Sequence, residues 1–224
     1  MKIYLDTGNI EEIKHAAETG LLNGVTTNPS LIAKEGRPFK EIIKDIAKML
    51  SKHTKDFTVS AETTSTDWEG MVKEGLAYAK YDKHVIVKVP LTPNGLIACQ
   101  KLAKKRIRCN VTLCFSPNQA LMAAKAGAYI ISPFVGRIDD HGGHGMDLIE
   151  EIRTIYDNYE FKTNILVASV RSPDQVRDAA LIGADIATIP YKIFQKMFYH
   201  PLTDKGNAQF LADHAKYQAA LAKK

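Results

Sequence analysis

Val85-Ile86-Val87-Lys88-Val89-Pro90 is a short run of mostly β-branched residues interrupted by a single lysine. Val and Ile are enriched in strands, and the length of the run suits a buried strand better than a helix. Because side chains alternate across a strand, Ile86 and Lys88 share one face. The run is one of a series, and the spacing of that series predicts the fold.

Eight strand-like runs occur along the chain, and a helical pattern follows each of them. They are Lys2–Thr7, Gly24–Thr27, Phe57–Glu62, His84–Pro90, Arg108–Cys114, Tyr129–Phe134, Asn164–Val170 and Asp185–Pro190. Eight runs in 224 residues give about 28 residues per unit, the size of a strand plus a helix. The pattern predicts an α/β protein, a closed (β/α)8 TIM barrel. A doubly wound sheet is the alternative, but no Gly-x-Gly-x-x-Gly follows the first run.

No Pro/Ser-rich linker interrupts the pattern, so residues 1–224 are expected to form a single barrel domain. Capping residues next to proline indicate helix starts at Ser30, Ser116 and Ser172.

The end of the chain exceeds what eight units need. Tyr191–Tyr199 is predicted to form a helix that Pro201 ends. Residues 203–224 are predicted to add a C-terminal helix, whose helical pattern covers Asp204–Ala222. The apolar residues of this last helix fall roughly on one stripe. They are Phe210, Leu211, Tyr217 and Leu221. The helix is expected to pack either on its own barrel or on a neighbouring subunit.

Composition excludes several classes of protein. The net charge of +5, from 30 Lys and Arg against 25 Asp and Glu, is too small to indicate nucleic-acid binding, although it suits an anionic metabolite. No run approaches the roughly 18 apolar residues of a membrane span, and the charge at Asp6 comes too early for a signal peptide. Three cysteines without paired spacing argue against disulfides. We therefore expect a cytoplasmic protein that binds neither nucleic acid nor membrane.

Lys88 is the first candidate for chemistry. Its face of the strand should be the barrel interior, where an ammonium loses hydration, and a lowered pKa would give a free amine that attacks carbonyl carbons. The ordinary alternative is a lysine that reaches the strand end or pairs with a carboxylate.

Polar residues recur where the other strands end, and the active site of a barrel lies at that end. They are Asp6, Thr26, Asn28, Glu62, Asn110, Thr112, Ser132 and Ser169. Each alone could cap a turn or simply favour a strand. Their convergence next to Lys88 favours a shared function.

Schiff-base aldol chemistry needs a lysine, an acid/base for a substrate hydroxyl and a second proton relay. Asp6 and Glu62 are the available carboxylates, and Thr112 can position a water against Glu62. Asn28, Asn110 and Ser132 can bind sugar hydroxyls.

Two arginines suggest where a phosphate would bind. Arg137 follows the sixth run, and Ser169 and Arg171 follow the seventh, close to a helix start, a place that favours phosphate in barrels. Alternatively, these arginines are solvated or paired with Asp139, Asp140 or Asp174. His141 and His144 are separated by glycines with a spacing irregular for a metal, so we expect no metal and a mobile active-site loop instead.

Six motifs, taken in order over the whole chain, resemble the transaldolase family, specifically its small transaldolase and fructose-6-phosphate aldolase group. They are Leu5-Asp6, Gly24-Val25-Thr26-Thr27-Asn28-Pro29-Ser30, Val87-Lys88-Val89-Pro90, Asn110-Val111-Thr112, Ser132-Pro133-Phe134-Val135-Gly136-Arg137-Ile138-Asp139 and Ala168-Ser169-Val170-Arg171. Val170 departs from the Phe common at that position in the family.

The resemblance implies a cofactor-free enzyme in which Lys88 forms the Schiff base, Asp6 acts on the C4 hydroxyl, and Glu62 with Thr112 holds a catalytic water. It implies that the following residues bind the phosphorylated sugar: Thr26, Asn28, Asn110, Ser132, Phe134, Arg137, Ser169 and Arg171.

Glu62 and Phe134 decide between two activities within the family. The aldolase branch usually has Gln and Tyr at these positions, so the chain resembles the transaldolase branch. This implies transfer of dihydroxyacetone from sedoheptulose 7-phosphate or fructose 6-phosphate to glyceraldehyde 3-phosphate or erythrose 4-phosphate, in the pentose phosphate pathway. The alternative is fructose-6-phosphate aldolase. A non-catalytic binding barrel would leave Lys88 unexplained. Resemblance to the small members also implies a pentamer or decamer, with the C-terminal helix reaching a neighbour.

Overall fold

The computed structural model describes residues 1–222 and contains the predicted closed barrel. Eight parallel strands follow one another in chain order, and the first pairs with the last. The strands are β1 (Lys2–Asp6), β2 (Leu22–Thr26), β3 (Thr58–Glu62), β4 (Val85–Pro90), β5 (Cys109–Cys114), β6 (Ile130–Pro133), β7 (Asn164–Val167) and β8 (Ile186–Ile189). All eight predicted strands are confirmed, with ends that differ by up to three residues.

Eleven helices occur in residues 1–222, and all but the last lie around the outside of the barrel. They are α1 (Ile10–Glu18), α2 (Pro29–Lys34), α3 (Phe39–Leu50), α4 (Trp68–Tyr78), α5 (Pro93–Lys104), α6 (Pro117–Lys125), α7 (Val135–Asp139), α8 (Gly145–Asn158), α9 (Pro173–Ile182), α10 (Tyr191–Lys196) and α11 (Pro201–Leu221). Helix α2 is the helix predicted to start at Ser30, whereas no separate short helix was predicted at the position of α7. They lie directly after β2 and β6, and both carry residues that line the barrel mouth.

Two predicted helix boundaries were wrong. Asn28, not Ser30, caps α2, because its side chain accepts a hydrogen bond from the backbone of Leu31 and places Pro29 in the first turn. Pro201 begins α11 rather than ending α10, which already stops at Lys196. Proline fits the first turn, where its missing N–H costs no hydrogen bond.

The apolar core has two parts. The larger lies between the strands and the helices and contains outward-facing strand residues such as Val25, Val87 and Val111. The smaller fills the barrel interior. It consists of Tyr4, Ile86, Ile130, Leu166, Ala168 and Ile186.

Gly24 makes room for the largest of the interior side chains. A Cβ at Gly24 would lie 2.7 Å from the Tyr4 ring and 2.7 Å from the Thr58 carbonyl oxygen. The Tyr4 hydroxyl accepts a hydrogen bond from the Thr58 hydroxyl at 2.9 Å. This packing closes the barrel below the polar strand ends, so the interior is not a pore.

Helix α11 does not pack on the barrel that precedes it. None of its residues from Pro201 to Leu221 is buried, and the apolar residues predicted to form a stripe are exposed. Of the two alternatives left open by the sequence, packing on its own barrel is therefore not observed in residues 201–221. Residues 223 and 224 of the predicted helix lie outside the described residues. Among residues 1–222, no helix combines the length and the apolar character that crossing a bilayer demands.

Candidate active site

Strand register brings the predicted catalytic residues together at the carboxyl end of the barrel. Glu62 on β3 is the Cα partner of Lys88 on β4, and Lys88 in turn is the partner of Asn110 on β5. On β1 and β2, Asp6 is the partner of Thr26. Neighbouring strands lie about 4.8 Å apart, so these side chains, all on the interior face, can touch.

A cavity of about 230 Å³ opens at this end of the barrel. Its walls are Asp6, Thr26, Asn28, Lys88, Thr112, Ser132, Phe134, Arg137, Leu166, Ala168, Ser169, Val170, Arg171, Thr188 and Pro190. A second cavity adjoins it, with Glu62 in its wall, and both cavities share Asn28, Lys88, Thr112, Phe134 and Arg137. Of the twelve predicted site residues, only Asn110 is in neither wall.

Lys88 is 5% exposed and is paired with a carboxylate. Its Nζ lies 2.9 Å from Oε2 of Glu62 and donates a hydrogen bond to the carbonyl oxygen of Thr27 at 3.1 Å. Burial disfavours the ammonium, whereas the Glu62 carboxylate stabilises it. The structure thus combines both sequence interpretations of this lysine, interior and paired.

Asp6 is held by a chain of hydroxyl groups. Thr26 Oγ1 donates to Asp6 Oδ1 at 2.7 Å and lies 2.7 Å from Thr188 Oγ1. A hydroxyl has one proton, so when Thr26 donates to Asp6, Thr188 must donate to Thr26. Burial raises the pKa of Asp6, while the Lys88 charge and the Thr26 hydrogen bond act in the opposite direction.

Asn110 lies in the buried floor beneath the cavity. Its Nδ2 donates to Ser60 Oγ at 3.2 Å, and its Oδ1 accepts from Ser132 Oγ at 2.6 Å. This network fixes the orientation of the amide and of the Ser132 hydroxyl, which does line the cavity. An amide nitrogen carries two N–H groups, and the bond to Ser60 uses one of them.

Thr112 presents an unsatisfied hydroxyl. It is 1% exposed, and within residues 1–222 its Oγ1 has no hydrogen-bond partner. Buried polar groups normally have partners, and those that lack them often face a ligand or a water. Thr112 lines both cavities, close to Glu62 and Lys88.

Phe134 forms the apolar side of the mouth. Its ring packs edge-on against Phe115 at 5.8 Å, and the guanidinium of Arg137 lies 5.5 Å from its centroid. Asn28 faces this side, with its Oδ1 committed to the cap of α2 and its Nδ2 free to donate.

The two arginines at the mouth differ in their partners. Arg171 forms an ion pair with Asp140 at 2.6 Å, one of the carboxylates that the sequence offered as a partner. Arg137 forms no ion pair with any described carboxylate, and Asp139 instead accepts from Gly145 N and Gln175 Nε2. Arg137 is therefore the more available cation for an anion.

Ser169 is held in a strained backbone conformation between these arginines. Its φ of 59° is uncommon for a non-glycine residue. Its carbonyl accepts from Gly136 N at 3.1 Å, and a Cβ at Gly136 would come within 2.0 Å of that oxygen. The contact explains why glycine precedes Arg137, and it locks the two arginine-bearing loops together.

Comparison with known proteins shows the family of this chain. The model of the family described as Transaldolase/Fructose-6-phosphate aldolase matches residues 3–224. The chain belongs to this family.

Several relatives in the family are similar over nearly their whole length. A protein of Aquifex aeolicus is 57% identical over 96% of this chain and 97% of its own, and one of Desulfatibacillum aliphaticivorans is 55% identical over 96% and 99%. A Petrotoga mobilis protein is 52% identical over 100% of this chain and 99% of its own. All three are named "Probable transaldolase".

A solved structure outside the family shares the fold. The crystal structure of a Pediococcus acidilactici protein assigned as a lactate oxidase matches with a TM-score of 0.57 at 15% identity, over 84% of this chain and 62% of its own. The likeness supports the barrel alone.

Two residues that contact the predicted site residues, Thr27 and Thr188, were not among the residues predicted from the sequence. Thr27 accepts the hydrogen bond from Lys88 through its backbone, so side-chain chemistry gives no signal for it. Thr188 could have been predicted, because it shares one face of its strand with Ile186, just as Lys88 shares one face with Ile86. The three cysteines are buried, and burial raises the pKa of the Cys114 thiol to about 12, which suits a residue that packs in the core.

Proposed function

We propose that this protein is a transaldolase, a transferase that moves a dihydroxyacetone unit from a ketose phosphate to an aldose phosphate through a Schiff base on Lys88. The observation that carries the proposal is the buried Lys88 Nζ, 2.9 Å from the Glu62 carboxylate and in the same cavity wall as Asp6. An amine and two carboxylates at the carboxyl end of a barrel are what such chemistry requires.

The first step forms the imine. The Lys88 ammonium gives a proton to Glu62, and the free amine attacks the C2 carbonyl of the donor, forming a carbinolamine. Glu62 then returns its proton to the C2 oxygen through a water held between Glu62 and Thr112, and loss of that oxygen as water gives the protonated imine. The unsatisfied Thr112 hydroxyl supports this role.

Asp6 takes part in the second step. Its carboxylate takes the proton of the C4 hydroxyl, the C3–C4 bond breaks, and its electron pair moves to the imine nitrogen. The aldose phosphate leaves and an enamine remains on Lys88. The enamine then attacks the aldehyde of the acceptor, Asp6 returns the proton to the new hydroxyl, and hydrolysis of the imine releases the product.

The remaining wall residues suit a phosphorylated sugar. Ser132, Asn28 and the Asn110 beneath them offer donors for the hydroxyls of the three-carbon unit. Arg137, Arg171 and Ser169 lie at the mouth, where they would hold the phosphate. Sedoheptulose 7-phosphate or fructose 6-phosphate is the proposed donor, and glyceraldehyde 3-phosphate or erythrose 4-phosphate the acceptor.

Transfer is favoured over simple cleavage by two residues. Glu62 and Phe134 replace the Gln and Tyr usual in the aldolase branch, so neither an amide nor a phenol assists protonation of the enamine. Product analysis with and without an aldose phosphate tests this. Transfer with little free dihydroxyacetone supports the proposal, whereas efficient release without acceptor contradicts it. Phe134→Tyr should raise release relative to transfer, and Phe198→Tyr, at an exposed position, should not.

We further propose that residues 1–224 form one domain that functions in the cytoplasm as a homo-oligomer, a pentamer or decamer. The support is α11, which exposes Phe210, Tyr217 and Leu221 along its length and lacks buried contacts. A neighbouring subunit would cover them. Light scattering measures the mass of the assembly formed by the full chain and by a chain that ends at residue 200. The shorter chain should form a smaller assembly, and an unchanged mass would contradict the role of α11.

A further inference from the structure

A cleft separate from the two active-site cavities lies at the opposite end of the barrel, beneath the amino ends of β5, β6 and β7. Its volume is about 380 Å³, at the small end of the usual range for ligand pockets. Its walls are Ala103, Arg106, Ile107, Arg108, Ala124, Gly127, Ala128, Tyr129, Phe161, Lys162 and Thr163. A six-residue strand such as β5 spans about 20 Å, which separates this cleft from the Lys88 cavity.

The charged residues of this cleft are all cations. Arg106, Arg108 and Lys162 form no ion pair with any carboxylate in residues 1–222, and no acidic residue is in the wall. Lys104 and Lys105 precede Arg106 on the exposed surface. Like charges close together repel, so an anion with more than one negative charge would relieve the repulsion.

Apart from Thr163, whose hydroxyl donates to the Ala128 carbonyl, the rest of the wall is apolar or aromatic. The Arg108 guanidinium lies 5.3 Å from the Tyr129 centroid, and its Nη2 donates to the carbonyl of Lys83 at 3.0 Å. These two contacts hold the guanidinium plane in place. Phe161 lines the same cleft, over a floor of alanines. Stacked guanidinium groups and aromatic rings bind flat heteroaromatic rings.

Arg106 occupies a backbone position that ordinarily favours glycine. Helix α5 ends in a motif in which Ile107 N donates to Leu102 O and Arg106 N to Ala103 O, with φ of 60° at Arg106. Helix α6 ends with the same bonds, and there Gly127 has the left-handed φ of 84°. Glycine would therefore fit at 106 with less strain, and the arginine brings a cation to the cleft instead.

We propose that this cleft binds a phosphorylated ligand that carries a flat aromatic ring and is the size of a nucleoside monophosphate. The three cations bind the phosphate, while Tyr129, Phe161 and the Arg108 plane contact the ring. A sugar phosphate alone would leave the apolar wall uncovered, so this site differs in ligand class from the cavity of Lys88.

Calorimetric titration of the full chain with adenosine 5′-monophosphate tests the proposal. Arg106→Gly should weaken binding about tenfold, the value of one charge-assisted hydrogen bond, without loss of thermal stability. Lys162→Ala should weaken it similarly, and Lys14→Ala, an exposed cation on α1, should not. Adenosine and inorganic phosphate should each bind at least about tenfold more weakly than the monophosphate.

Three results would overturn the proposal. One is no binding of the monophosphate by the wild-type chain. Another is equal binding of inorganic phosphate, which would remove any role for the aromatic wall. The third is binding that Arg137→Ala abolishes and Arg106→Gly leaves intact, which would locate the ligand at the sugar-phosphate mouth. If Arg106→Gly does not fold, the affinity of Lys162→Ala for the monophosphate tests the proposal by itself, and an affinity equal to wild type contradicts it.

Discussion

The Nζ of Lys88 and Oε2 of Glu62 lie 2.9 Å apart on adjacent strands, in a pair that is largely removed from water. The sequence alone suggested an amine set free by burial. The structure adds a carboxylate beside that amine, and an amine attacks a carbonyl only in its unprotonated form, so any proton on the nitrogen must leave first. Glu62 is in position to accept that proton, and in the proposed mechanism it does so in the first chemical step.

Replacing Glu62 by Gln tests this role. Glu62→Gln keeps the side-chain size but cannot accept a proton, so transfer should fall about 100-fold or more, the usual contribution of acid–base catalysis. The share of turnover that ends as free dihydroxyacetone should rise. Initial rates with and without acceptor measure both effects. Glu69→Gln on the exposed face of α4 should match wild type, and an unchanged rate in Glu62→Gln would contradict the assignment.

Asp6 should reduce stability while enabling catalysis. The pKa of Asp6 is raised in the folded protein because burial disfavours the charged form. The wild type therefore loses free energy of unfolding as pH rises from 3.8, the ordinary pKa of Asp in the unfolded chain, through the higher pKa in the folded protein. Asp6→Asn keeps an acceptor for Thr26 and removes the charge. The variant should melt at a higher temperature than wild type at pH 7, and the difference should shrink in acid. Activity should fall at least about 100-fold. A lower melting temperature at pH 7 would contradict this account.

Thr188 should act on Asp6 through Thr26. Thr188→Val removes the hydroxyl that donates to Thr26, weakening the Thr26–Asp6 hydrogen bond that lowers the pKa of Asp6. The acidic limb of the kcat/KM profile should therefore move to higher pH, with a roughly threefold to tenfold loss of kcat. Thr188→Ser should restore the wild-type profile. If the kcat/KM profile of Thr188→Val has the same acidic limb as wild type, Thr188 does not act on Asp6 and contributes to packing alone.

Arg137 should bind the phosphate more strongly than its exposure suggests, because no described carboxylate competes for it. Arg137→Ala should raise KM for fructose 6-phosphate about tenfold or more, and change kcat/KM for unphosphorylated fructose much less. Arg177→Ala, whose guanidinium is paired with Asp174 and Asp178 on α9, is the matched control. An equal effect on both substrates would contradict phosphate binding by Arg137.

The barrel could be predicted from sequence because its signals are local. Val- and Ile-rich runs such as Val85–Pro90 recur at a nearly constant interval, and parity within each run separates the interior face from the helix-covered one. The polar strand ends were found for the same reason, since all parallel strands finish at one end of the barrel. Asp6, Glu62 and Lys88 therefore meet as expected.

The contacts that modify these residues could not be predicted, because they join distant parts of the chain. Arg171 pairs with Asp140 across two loops, 31 positions apart, and sequence alone left several partners open. Thr188 lies 162 positions from Thr26 in a strand where threonine is an ordinary residue. The exposed α11 was ambiguous because an apolar residue on a helix gives no information about which surface covers it.

Trapping the imine tests the central claim most directly. Borohydride reduction in the presence of fructose 6-phosphate, followed by peptide mass analysis, should place a three-carbon adduct on Lys88. Lys88→Arg should give no adduct, and Lys101→Arg, whose lysine rests on Trp68, should label like wild type. A wild-type chain without an adduct, or with one on another lysine, would contradict the assignment of Lys88 as the Schiff-base nucleophile.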